Sequence, residues 1–302
     1  MADLPARVAS ALGTVVSRSA PLSGGQVGQA VRCTLADGRE VVAKTSPGTP
    51  LDVEAFMLRY LASHSPLPVP EVQYSEPDLL IESFVAGGAR LTPAAERHAG
   101  ELLAALHGVH ADRFGFERDT LLGPFTLDNA WTGSWPEFYA ERRLRPMAAL
   151  ASDRGMLPSA DRERVEGLAD ALPARFDADP EPSLIHGDVW GGNVLVGDGS
   201  AGERSAWEAG VPEDGVGEGR IAAFLDPAIY YADAEVELAF IDLFHTFGRA
   251  FYQAYEAVRP VDEGYARWRR DLYQVLPLLV HVALFGGTYV SGMRARLTRL
   301  GV

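Results

Sequence analysis

The chain has 302 residues, 47% hydrophobic and 23% charged, with 27 basic against 41 acidic side chains and a formal net charge of −14. This composition excludes a disordered chain and a collagen or coiled-coil repeat, and it leaves room for two lobes that each bury a core. The acidic balance offers no basic face for a phosphate backbone and argues against a nucleic-acid partner. The longest apolar run, Val275 to Phe285, carries Pro277 and His281 and is too short to span a bilayer.

In chain order, the start MADLPARVASALG makes a poor secretory signal, and Cys33 is the only cysteine, so a reducing, cytoplasmic setting is expected. Two strands are predicted over Val27–Leu35 and Glu40–Lys44, joined by the Asp37-Gly38 turn. Cys33 reads as a half-buried strand thiol. A helix follows over Val53–Ser63, with Glu54, Met57, Leu58 and Leu61 on one face. After Pro66, Pro68 and Pro70, further strands are predicted near Val72–Tyr74 and Leu79–Phe84. Gly87-Gly88 then marks a boundary between an amino-terminal lobe, residues 1–86, and a larger carboxy-terminal lobe, residues 87–302. Thr92-Pro93 has the chemistry of a helix start, and the remainder reads as mostly helical. Strand-like pieces interrupt it at Ser183–His186, Asn193–Val196 and Ile221–Leu225. Paired antiparallel, the last two bring Asn193 and Asp226 to the open end of a hairpin. The Gly-, Glu-, Asp- and Ser-rich stretch 197–220 then forms a flexible loop at the opposite tip. The fold class is α+β, a small β-rich lobe before a mainly helical one.

Chemistry concentrates in two places. Ser23-Gly24-Gly25 precedes a strand pair that ends on Lys44, the single lysine among 27 basic residues. Glycines let backbone N–H groups approach a phosphate, although an ordinary tight turn explains them as often. The pattern lacks the Lys-Ser/Thr and following helix of a P-loop. A partly buried ammonium at Lys44 needs a carboxylate, and Glu54, a charge on an apolar stripe, supplies one. The second place is His186-Gly187-Asp188-Val189-Trp190-Gly191-Gly192-Asn193, followed by Leu225-Asp226-Pro227. Phosphoryl transfer needs a group at the acceptor hydroxyl and oxygen ligands for Mg2+; Asp188 suits the first, Asn193 and Asp226 the second. Zinc weighs low because no further His or Cys lies at ligand spacing, and no Gly-x-Ser-x-Gly elbow supports a hydrolase. His107 and His110 at a helix end are explained by the helix dipole.

Together these residues resemble the protein-kinase-like fold and, within it, the fructosamine kinase (ketosamine-3-kinase) family. The resemblance also runs through Asn129-Ala130-Trp131 to Glu141-Arg142-Arg143-Leu144, Asp226-Pro227-Ala228 with Tyr230-Tyr231, Glu235 to Ala239, and Leu272 through His281 to Gly286. It implies an ATP- and Mg2+-dependent kinase acting on a small or protein-linked glycated amine, a monomer or weak dimer. Asp188 would face the acceptor, Asn193 and Asp226 hold metal, and Gly24, Gly25, Lys44 and Glu54 serve the nucleotide. Glu82 and Phe84 would lie in the connection that meets adenine. Trp190, Trp131, Trp135, Tyr231, Glu235 and His281 would line the substrate side, with Glu235 equally readable as a helix-start acid. Gln26, where a redox-active cysteine is frequent in the family, makes that switch doubtful, and Ala232 and Val280 depart from a usual Gly and Asn on the substrate side. Another small-molecule phosphotransferase, of aminoglycoside or choline type, and a nucleotide-binding regulator without turnover are the alternatives.

Overall fold

The computed structural model describes residues 4–22, 28–177, 179–197 and 219–302. Gly24 and Gly25, and residues 198–218 of the expected loop, lie outside the described residues.

The amino-terminal part opens with helix α1 (Leu4–Leu12), which the sequence reading did not identify, and strand β1 (Val16–Leu22). Strands β2 (Gln29–Leu35) and β3 (Glu40–Thr45) form the expected hairpin, helix α2 spans Leu51–His64, and β4 (Val72–Glu76) and β5 (Leu79–Ser83) follow. The five strands make one antiparallel sheet in the order β1-β2-β3-β5-β4. Strand alternation sorts the side chains. Cys33, Leu35, Val41, Ala43, Leu79 and Ile81 face α1 and pack with Val8, while Leu80 faces α2 and meets Leu51, Ala55 and Leu58. Lys44 and Glu82 share that second face. Because β3 pairs Lys44 with Leu80 and Val42 with Glu82, the ammonium and the carboxylate are diagonal neighbours.

Helix α3 (Pro93–Leu106) starts as expected, with Thr92 Oγ1 accepting from the Ala95 N–H at 3.2 Å. A short hairpin, β6 (Thr120–Leu122) and β7 (Phe125–Leu127), follows. Next come α4 (Trp135–Tyr139), a π-helical turn Ala140–Leu144, α5 (Arg145–Asp153) and α6 (Ser159–Ala171). Strand β8 (Ser183–Ile185) pairs with β11 (Tyr230–Ala232), and β9 (Val194–Gly197) with β10 (Arg220–Phe224). The carboxy-terminal helices are α7 (Glu235–Leu243), α8 (Arg249–Val258), α9 (Arg270–Phe285) and α10 (Val290–Arg299). The long α9 is apolar all round and buried from Leu272 to Val280, the signature of a central helix. Among the described residues no helix is long and apolar enough to cross a membrane.

The aromatic block after Asn129 belongs to this core. Arg143 is buried, donates to the Asp128 carbonyl at 2.8 Å and to Asn129 Oδ1 at 2.5 Å, and lies over the Tyr230 ring at 4.0 Å. Trp135 is wholly buried and donates through Nε1–H to the Tyr273 hydroxyl at 2.9 Å. Its expected place on the substrate side is therefore corrected. The indole is a core joint between α4 and α9.

Candidate active site

A cavity of about 1100 Å³ lies between the sheet and the helices, lined by Gly28, Lys44, Glu54, Asp188, Asn193 and Asp226 at one end and by an aromatic wall at the other. Gly28, at the end of the glycine turn, has φ +90°, and a Cβ there would sit 2.1 Å from the Thr45 carbonyl oxygen. Only glycine fits this backbone position against β3.

Lys44 is the hub. Its Nζ donates to Glu54 Oε1 at 2.7 Å and to Asp226 Oδ1 at 2.6 Å, and lies 3.1 Å from Glu82 Oε1. Burial works against the ammonium, yet Glu54, Glu82 and Asp226 together hold its pKa well above the ordinary value. One cation does not balance three carboxylates. Burial, relieved only in part by Lys44, pushes Glu54 up to about 7, and it raises Glu82 as well. Burial also opposes the charge on Asp226, but the Lys44 contact prevails and holds its pKa down. The Glu82 Oε2 atom is buried without a hydrogen-bond partner. Asp226 reaches this position through a left-handed backbone at φ +51°, which a short Asp or Asn side chain tolerates best among non-glycine residues.

The neighbouring loop carries Asp188 and Asn193. Asn193 Nδ2 donates to Asp188 Oδ2 at 2.8 Å and to the Asp188 carbonyl at 2.9 Å, so the two side chains fix each other. Burial first, then the Asp226 charge, pushes Asp188 up to about 7. The hairpin geometry expected from sequence is present: the Leu225 N–H donates to the Asn193 carbonyl at 2.8 Å at the open end of β9–β10. Gly187 has φ +87°, and a Cβ there would lie 2.3 Å from the Ala228 oxygen.

What holds this loop was missed in the sequence. Glu237, wholly buried on α7, accepts from the Gly187 N–H at 2.6 Å, the His186 N–H at 3.2 Å and His107 Nε2 at 2.9 Å; His107 Nδ1 contacts the Tyr255 hydroxyl at 2.8 Å. Burial opposes the Glu237 charge, but the His107 and backbone hydrogen bonds outweigh it and lower its pKa. His107 is thus a buried link between helices, and its assignment to the helix dipole is corrected. The available signal was an acid among Val236, Leu238 and Ala239, the same anomaly that marks Glu54.

The remaining expected residues divide. Trp190, 38% exposed, and His281 line the cavity. The Trp190 indole folds over Gly192, where a Cβ would meet it at 2.3 Å. Tyr231 is buried, shares a 2.9 Å hydrogen bond with the Tyr60 hydroxyl, and packs with Trp131 and Phe116. That cluster ties α2 to the helical part and does not line the cavity. Glu235 is ion-paired with Arg269 at 2.5 and 2.8 Å, outside the cavity. Glu82 sits mid-strand with its carboxylate on Lys44. The Phe84 N–H donates to the Glu40 carbonyl at 3.0 Å, and its ring lies 3.7 Å beneath Arg32. Packing and ion pairing have used the functional groups of Tyr231, Glu235 and Glu82, and their expected place at the ligand is corrected; Trp131 and Phe84, both half-buried, are not among the residues lining this cavity.

A cationic hub among excess carboxylates, beside an Asp–Asn pair on a fixed loop, can neutralise an anionic ligand and present a carboxylate to a hydroxyl. The comparisons agree with this chemistry. Residues 5–300 match the sequence model of the family described as fructosamine kinase. A Synechocystis protein assigned as a ketoamine kinase is 37% identical over 192 residues, 63% of this chain and 57% of that one, so the match spans a little over half of that relative. The ketosamine-3-kinase of Mus musculus is 32% identical over 254 residues, 83% of this chain and 72% of that protein. A crystal structure of a Thermobifida fusca protein assigned as a fructosamine-3-kinase superposes with a TM-score of 0.82 at 32% identity, covering 98% of both chains. An ADP-bound aminoglycoside phosphotransferase, 14% identical and covering 99% of this chain and 97% of its own, shares the fold with a TM-score of 0.62.

Proposed function

The chain belongs to the fructosamine kinase family, and from that premise we propose that it transfers the terminal phosphoryl group of ATP to a ketosamine, at the hydroxyl on the sugar's third carbon. The observation that carries this reading is the single cavity in which Lys44, held by Glu54 and Asp226, faces the Asp188–Asn193 pair.

In this reading Lys44 binds nucleotide phosphate as a compact point charge, and Glu54 and Glu82 keep the ammonium in place from two sides. Gly24 and Gly25 are assigned to the nucleotide from the sequence alone. The donor set fits Mg2+. Asp226 and Asn193 offer hard oxygens, the Asp226 side chain is half exposed to the cavity, and the surplus carboxylate charge around Lys44 calls for more cation than one lysine supplies. When bound, that ion neutralises the charge on the transferring phosphoryl group. Among the described residues no three His, Cys, Asp or Glu side chains form a cluster that could hold a metal ion alone, so in this reading phosphate and water would complete the shell.

Asp188 orients the acceptor hydroxyl and accepts its proton. Its raised pKa makes it a better base than an exposed aspartate, and Asn193 holds the carboxylate by one oxygen. The test is a coupled assay of ADP release across fructose and ribulose adducts of simple amines, aminoglycosides and choline, with the product's phosphate position read by NMR. Turnover confined to aminoglycosides or choline would overturn the ketosamine assignment. No turnover of any alcohol, with nucleotide still bound, would favour a regulator.

A further inference from the structure

The charged side chains lining the cavity, among the described residues, are Lys44, Glu54, Asp188 and Asp226, and all belong to the phosphate end. Beyond Asp188 the wall is mainly aromatic, with Leu284 and Thr288 beside the rings. Phe240 packs on Phe244 with ring centroids 4.7 Å apart, Phe244 on His281 at 5.0 Å, and His281 on Phe285 at 5.7 Å and Tyr289 at 4.8 Å. Trp190 lines the same cavity from the Asp188 loop, and Phe285 is half exposed.

Two acids near this end that could meet a cation are engaged elsewhere: Glu235 with Arg269, and Asp233 with the Tyr273 hydroxyl at 2.5 Å. His281 contributes no charge of its own. Burial lowers its pKa, and its Nδ1 lies 2.8 Å from the Pro277 carbonyl, which can only accept; the proton therefore sits on Nδ1 and Nε2 is left as an acceptor. A secondary ammonium beside the sugar can rest against the π faces and donate to Nε2. A second charge further along the amine, an α-carboxylate or α-ammonium, would find no charged partner among the described residues of this wall and would give up part of its water against the rings.

Resting on the ketosamine reading above, we propose that the Phe240–Phe244–His281–Phe285–Tyr289 wall with Trp190 is the amine subsite, and that the chain selects ketosamines whose amine bears an aromatic or other apolar substituent over those carrying further charge.

The experiment compares fructose adducts of phenethylamine, of butylamine and of the side chain of free lysine, by ADP release with purified full-length protein. The expected order of kcat/KM is phenethylamine, then butylamine, then lysine, with at least about a tenfold span between the first and last. Phe285→Ala, at a half-exposed position, should keep its Tm and narrow that span to about threefold. Phe244→Ala should do the same if it folds, and Phe285→Ala suffices if it does not. Equal kcat/KM for the three adducts, or preference for the lysine adduct, overturns the subsite and leaves the ketosamine reading standing. Turnover of none of the three, with another alcohol phosphorylated, overturns both.

Discussion

Replacing Glu237 by Gln should uncouple the Asp188 loop from its support while leaving the volume of the side chain unchanged. In the native site Oε1 accepts one N–H, from Gly187, and Oε2 accepts two, from His186 and His107. A glutamine oxygen placed at the Oε2 position keeps two of these bonds as neutral ones, and its NH2 must then face the Gly187 N–H. Charge-assisted hydrogen bonds contribute about 1.5–3 kcal/mol each and neutral ones about 1 kcal/mol, so weakening two bonds to neutral ones and misplacing the third should cost about 3 kcal/mol. For a chain of this length that lowers Tm by roughly 5 °C. The catalytic consequence is separate: a carboxylate displaced by about 1 Å loses on the order of a hundredfold in rate, whereas KM for ATP should stay within about threefold because Lys44 is untouched. The pH dependence gives an independent reading. Glu237 titrates below its ordinary 4.5 in the folded chain. Its stabilisation is therefore complete above that value and vanishes as pH falls through the lower folded pKa, so wild type and variant should converge in acid. Calorimetric Tm across that range, with kcat measured per folded molecule, tests the argument. An unchanged kcat together with a stability gap independent of pH would refute a charge-held loop.

Further expectations concern the hub and the loop. Lys44→Arg should fold yet lose roughly a hundredfold in kcat/KM, because a planar guanidinium cannot fit between Glu54, Glu82 and Asp226, which surround one compact ammonium; near-normal turnover would remove Lys44 from the site. Asp226→Asn tolerates the left-handed backbone, so it should keep Tm while removing the divalent-cation dependence of nucleotide affinity measured by titration calorimetry. Asp188→Asn should bind nucleotide normally and lose the chemical step, and equal loss of affinity in both variants would contradict separate roles. Gly187→Ala meets the Ala228 oxygen at 2.3 Å in a strained φ, and should lower both Tm and kcat, checked by thermal melt and initial rates.

Much of this was legible because the signals were local. The Asp37-Gly38 turn fixes the hairpin that presents Lys44, the α2 stripe turns Glu54 toward it, and the four-residue gap between Asp188 and Asn193 closes on itself through hydrogen bonds. Local chemistry is also why Thr92 caps α3 where its sequence says it should. Even the pairing of β9 with β10 across the residues that intervene followed from strand pattern alone.

Position in three dimensions decided the rest. An aromatic or acidic side chain is equally suited to a cleft and to a core, and nothing in its neighbours along the chain says which. Trp135 finds the Tyr273 hydroxyl 138 residues away, Glu235 finds Arg269, and Glu82 finds Lys44 only through the sheet register. His107 and Glu237, 130 residues apart, become one support for the loop only when α3 packs on α8 and its end meets α7. The sequence by itself determined which residues carry charge and which strands carry them; burial and pairing, which depend on contacts distant along the chain, decided which of those groups remained free to meet a ligand.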